Sequence, residues 1–83
     1  MIEKYQVSGR QIAAGRALTG LDQKKLADAA RISLPTLRRM EASEGQAAGL
    51  PNNVLAVRAA LETAGVIFID SNGDGPGVRL RKD

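Results

Sequence analysis

The side chains that most often catalyse reactions or hold metals are missing, because the 83-residue sequence contains no histidine and no cysteine. That leaves no imidazole base, no thiol nucleophile or thiolate ligand, and no disulfide framework. No convergent acid-base pair emerges from the remaining residues, so neither an enzyme nor a cofactor is expected. One stretch imitates a metal site: Asp70, Asn72, Asp74 and Gly75 follow the first half of an EF-hand calcium loop. The place of its bidentate glutamate is taken by Arg81, while Pro76 and Gly77 suit a tight turn, so the expectation is a hairpin turn and no metal. What remains is cation and amide chemistry. Lysine and arginine outnumber aspartate and glutamate by 12 to 9, a net charge of +3. A positive face gains affinity for nucleic acid by releasing counterions from phosphates, although charge alone does not separate this from an ordinary solvated surface.

The elements that must position these groups follow from capping signals and apolar spacing. Ser8 and Gln11 have capping-box spacing, Ile12, Ala13 and Ala17 form a narrow apolar stripe, and Gly20 can end the turn, which predicts a helix from Gly9 to Thr19. Asp22 caps a second helix whose inner face is Leu26, Ala27 and Ala30, with Lys24, Lys25 and Asp28 facing water. Ser33 caps a third, which starts at Leu34, tolerates Pro35 in its first turn and buries Leu37 and Met40. Residues 43–53 read as an irregular connection, after which Asn52 or Asn53 caps a fourth helix from Val54 to Ala64, with Gly65 just beyond its end. The period then changes to that of strands: Val66 to Ile69, a Gly-rich turn, and Val78 to Arg81 form a hairpin. The expected fold is therefore mainly α, a single domain over residues 1–83, with a compact four-helix core (8–64) and a C-terminal β-hairpin (66–82).

Within the core, Leu26, Ala27, Ile32 and Leu37 have the sizes needed where two helices cross at a short turn. The segment QKKLADAARISLPTLRRME resembles the Cro and phage-repressor type of helix-turn-helix regulator, the XRE family. Gln23, Leu26, Ala27, Ile32, Ser33, Leu37 and Glu41 match the residue types usual there, and the resemblance covers residues 8–64. One departure concerns the turn, where the family usually has glycine and this chain has Arg31. A side chain in the left-handed region costs about 1 kcal/mol, which implies a slightly different turn.

The resemblance implies a double-stranded DNA partner, with the helix at 34–42 in the major groove. It makes Ser33, Leu34, Pro35, Thr36 and Arg39 candidates for base reading. Arg39 is foremost, because a guanidinium can bond guanine O6 and N7 together, whereas Leu34 and Pro35 can only touch thymine methyls or exclude bases by shape. Gln23, Lys24, Arg38 and Ser43 are the candidates for phosphate contact, with Lys25 and the rest of the 43–46 loop as further possibilities. The resemblance also implies a structural salt bridge between Arg16 and Glu41.

Val66 to Ile69 is apolar on both faces, whereas a strand over a small core needs burial on only one, so something further should cover it. A second copy of the chain is favoured over the fold-back of residues 1–7, with Val66, Ile67, Phe68, Ile69, Val78 and Leu80 as the dimer interface. The expected function is thus a homodimeric transcription regulator, in the simplest case a repressor, on an inverted-repeat operator. The alternative is a protein-interaction module, such as an antitoxin or antiactivator, that captures a partner through the apolar hairpin. No apolar run approaches the roughly 18 residues of a membrane span and the N-terminus lacks a leader pattern, so no membrane partner and a cytoplasmic location are expected.

Overall fold

The computed structural model describes residues 6–70 and 73–82; the first five residues and Asn72 of the calcium-like loop lie outside the described residues. Three of the helices begin where side-chain oxygens accept amides. Ser8 accepts from the Gln11 amide while Gln11 accepts from the Ser8 amide, a full capping box that opens α1 (Gly9–Thr19). Asp22 accepts from Lys25 to open α2 (Gln23–Ala30), and Ser33 accepts from Thr36 to open α3 (Leu34–Glu41). After an irregular loop come α4 (Pro51–Thr63) and an antiparallel hairpin of β1 (Val66–Ile69) and β2 (Gly77–Leu80). Four helices with a C-terminal hairpin is the architecture expected from the sequence. Among the described residues no helix is long and apolar enough to cross a membrane.

The bounds of α4 and β2 differ from the sequence reading, and α3 ends at Glu41, one residue before the expected end at Ala42. Helix α4 is not capped by Asn52 or Asn53: its N-cap is Leu50, with no side-chain cap, and Pro51 is its first residue. Proline suits that position because its fixed φ is already helical and the missing N–H has no intrahelical acceptor there. The helix accordingly ends at Thr63, with Ala64 as its exposed C-cap. Strand β2 begins at Gly77, which pairs with Ile69, and stops at Leu80.

The core is one cluster to which every helix and β1 contribute: Ile12, Leu26, Leu37, Met40, Val54, Val57 and Leu61 are at most 1% exposed, and Val7 and Ala47 close it from the chain start and the loop. Burying each of the larger side chains contributes roughly 1.5–3 kcal/mol. The buried face of α1 is Gly9, Gln11, Ile12 and Gly15, not the expected stripe of Ile12, Ala13 and Ala17, since Ala13 is half-buried and Ala17 exposed. The reason is close approach. A Cβ on Gly9 would collide with the Met40 carbonyl oxygen, and one on Gly15 would lie 3.3 Å from Val66 Cγ1.

The hairpin packs on α1 and α4. Val66 and Leu80, and Phe68 and Val78, are cross-strand pairs on its inner face, while Ile67, Ile69 and Arg79 occupy the outer one. Val66 and Phe68 are 2% and 8% exposed, so they belong to the core of their own chain and are removed from the expected dimer interface. Only the outward Ile67 and Ile69, both half-buried, and the more exposed β2 residues are left for a second copy. Arg58 of α4 stacks 4.9 Å from the Phe68 ring centroid and donates to Glu62 Oε2 at 3.2 Å.

Candidate nucleic-acid interface

Between α2 and α3 the chain reverses through Arg31, which has φ 58° and ψ 44° and is the only non-glycine residue with positive φ among those described. The Ile32 amide reaches the Ala27 carbonyl at 3.0 Å and the Arg31 amide reaches Asp28 at 3.1 Å. These two bonds make a Schellman end, so the turn is regular and not altered, and Arg31 occupies the left-handed place that glycine fills more cheaply. Its charged end is exposed. The sequence reading treated Arg31 as a turn residue and missed it as an exposed cation; its place between two capped helices was the available signal.

Arg16 and Glu41 meet as a two-pronged ion pair, with Arg16 Nε 2.9 Å from Glu41 Oε2 and a terminal guanidinium nitrogen 3.0 Å from Oε1. The carboxylate side is 7% exposed and the arginine 25%. The other guanidinium nitrogen donates to the Leu21 carbonyl at 3.3 Å, and Gln23 Nε2 donates to Glu41 Oε1 at 3.1 Å. One buried carboxylate therefore ties α1, the start of α2 and the end of α3 together. Arg16 is raised above its ordinary pKa, first by its hydrogen bond to Glu41 and against the opposing effect of burial. It stays charged at any working pH.

The remaining candidates divide by what they already bind. Ser33 accepts the Thr36 amide at 3.2 Å and lies 2.8 Å from the Thr36 hydroxyl, so both side chains are engaged in starting α3. Leu34 is half-buried and packs against the core, which makes it an anchor of the helix start, while Pro35 is exposed. Arg38 and Arg39 are exposed, and neither has a carboxylate within ion-pair distance among the described residues. They sit beside the fully buried Leu37 and Met40, so core packing fixes the direction in which their side chains leave α3.

Gln23 is half-buried with one amide hydrogen on Glu41, leaving the other for an external acceptor. Lys24 bonds both oxygens of Asp28 at 2.7 and 2.8 Å; such exposed i,i+4 pairs contribute about 0.3–0.5 kcal/mol and open readily. Ser43 is already engaged within its own chain. Its hydroxyl donates to the Arg39 carbonyl at 3.1 Å and accepts from the Ala48 amide at 2.9 Å. It latches the loop, and a phosphate contact would have to displace the bond to Arg39.

No group of three or more acidic side chains capable of holding a metal occurs among the described residues, Asp70 and Asp74 included. Another role invisible in the sequence belongs to Gln11. Beyond its cap, it donates to the carbonyls of Ile69 at 3.1 Å and Gly77 at 3.0 Å, bracing the far end of the hairpin against α1. No protein-family model matches the chain, and no curated protein matches it either.

Proposed function

We propose that the chain is a sequence-specific double-stranded DNA-binding regulator of the Cro and phage-repressor (XRE) type, reading the major groove with α3. The observation that carries this reading is the exposed Arg38 and Arg39 on a helix whose opposite face is locked by Leu37, Met40 and the Glu41 network. A rigid helix with unpaired guanidiniums is what bidentate recognition of guanine and contact with phosphate require. Arg39 is assigned to base reading and Arg38 to phosphate; Lys24, Lys25, Arg31 and the free amide hydrogen of Gln23 support the backbone contacts. Two copies, joined on the hairpin side through the outward Ile67 and Ile69, would present two such helices to half-sites about one DNA turn (roughly 34 Å) apart, and repression by blocking a promoter is the simplest outcome.

Selection of bound sites from random duplex DNA tests the reading. An enriched inverted repeat is the expected result. Arg39→Ala should reduce discrimination at one position of each half-site by about 1–3 kcal/mol, while Arg38→Ala should weaken all sequences alike and reduce the salt slope by about one. No enrichment at moderate salt, or an Arg39→Ala protein with unchanged preference, would overturn it.

A further inference from the structure

The two edges of the hairpin are unequal. The Arg81 amide bonds the Gly65 carbonyl at 2.6 Å, which sets the parity of the ladder. Ile67 with Arg79, and Ile69 with Gly77, exchange the bonds between the strands, so the N–H and C=O groups of Val66 and Phe68 face one outer edge and those of Val78 and Leu80 the other. Val66 and Phe68 are 2% and 8% exposed, so the β1 edge is covered. On β2, Leu80 is 46% exposed, Val78 is half-buried, and among the described residues no further partner takes their outward backbone groups. That edge borders a groove of about 520 Å³ lined by Arg10, Gln11 and Ala14 of α1, Glu44 and Gly45 of the loop, and residues 76–78. Its width is set by Gln11, whose amide ties α1 to the Ile69 and Gly77 carbonyls.

We infer that the β2 edge is a docking site for an extended, acidic strand of a partner protein, which adds antiparallel to Val78 and Leu80 with its side chains against Ala14 and Val78. The inference is independent of the DNA-binding reading. Strand addition supplies affinity through main-chain bonds, and a preformed edge avoids the cost of ordering it. Charge selects the occupant. Arg10, Arg79, Arg81 and Lys82 are exposed around this edge without an ion-pair partner among the described residues, opposed in the groove lining by Glu44 alone. A second copy of the chain is a poor occupant. Self-pairing centred on Arg79 sets two arginines face to face, centring on Leu80 sets Arg79 opposite Arg81, and centring on Val78 calls on Pro76, which has no N–H.

The test uses two capped hexapeptides, Glu-Val repeated three times and Lys-Val repeated three times, titrated into the labelled chain and followed by amide NMR shifts. The acidic peptide should shift Val78, Leu80, Arg10 and Ala14 amides and bind at least about tenfold more tightly than the basic one. Val78→Pro removes an outward N–H without touching the ladder and should weaken the acidic peptide about tenfold, equivalent to ~1.4 kcal/mol, with the circular dichroism of the fold unchanged. Leu80→N-methyl-leucine, introduced by semisynthesis, repeats the test should the proline variant not fold. Equal binding of the two peptides, no shifts at millimolar acidic peptide, or unchanged affinity in the edge variants would each overturn the inference.

Discussion

Replacing Arg16 with methionine isolates the feature on which the helical geometry depends. In the native chain the Glu41 carboxylate, 7% exposed, receives two bonds from Arg16 and one from Gln23. The substitution leaves it with the neutral amide. Leaving a buried charge uncompensated costs about 3–5 kcal/mol; the surviving Gln23 bond and the 25% exposure of Arg16, which lets water reach the carboxylate, place the expectation near the lower end, about 3 kcal/mol. For a domain of this size that is a fall in melting temperature of about 12–24 °C. Urea denaturation followed by circular dichroism at pH 7 measures it. The double variant Arg16→Met/Glu41→Leu removes both charges and should recover to within about 1 kcal/mol of the parent, about 2 kcal/mol more stable than the single variant. A loss below about 0.5 kcal/mol in the single variant, or one that disappears in 0.5 M salt, would mean that the pair behaves as an ordinary surface contact, and the reasoning would fail. Because Arg16 is held above its ordinary pKa, its contribution is complete below that value and is lost only as pH rises through the raised one, so it gives no pH dependence near neutrality.

Gly9→Ala should destabilise by about 3 kcal/mol, the upper part of the overpacking range, because the new methyl meets the Met40 backbone carbonyl and not a side chain that can swing away; an unchanged denaturation midpoint would refute this. Gln11→Ala removes half of a capping box and both hairpin braces, costing about 2 kcal/mol, and hydrogen exchange at the Ile67 and Arg79 amides should accelerate beyond the global change. Arg31→Gly should raise stability by up to about 1 kcal/mol through relief of the left-handed conformation, partly offset by the freer unfolded chain, and a thermal melt reads the sign.

The first three helices were legible because their start signals are local. A hydroxyl or carboxylate at Ser8, Asp22 and Ser33 satisfies amides within the same turn, and such short-range chemistry survives any tertiary setting. Leu26, Ala27, Leu37 and Met40 followed from helical spacing, and the change of period after Gly65 marked the hairpin. The start of α4 was misjudged because Pro51 reads equally as a loop residue or as a first helical residue, and only the packing of Val54 and Val57 decides between them.

What only the tertiary structure decided concerns residues distant in sequence. Gly9 and Gly15 look like weak helix formers until α3 and β1 are seen pressed against them. Ser43 looks like a loop donor until its proton is found on the Arg39 carbonyl, and Gln11 looks like a cap until it is found holding the hairpin. The apolar run from Val66 to Ile69 announced a strand, but which of its side chains face inward depends on register, and one step of slippage would have exchanged Val66 and Phe68 for Ile67 and Ile69. Local patterns determine which elements form, because caps and periodicity act within a turn or two. The surfaces left open, on α3 and along β2, are decided by which faces the core consumes first.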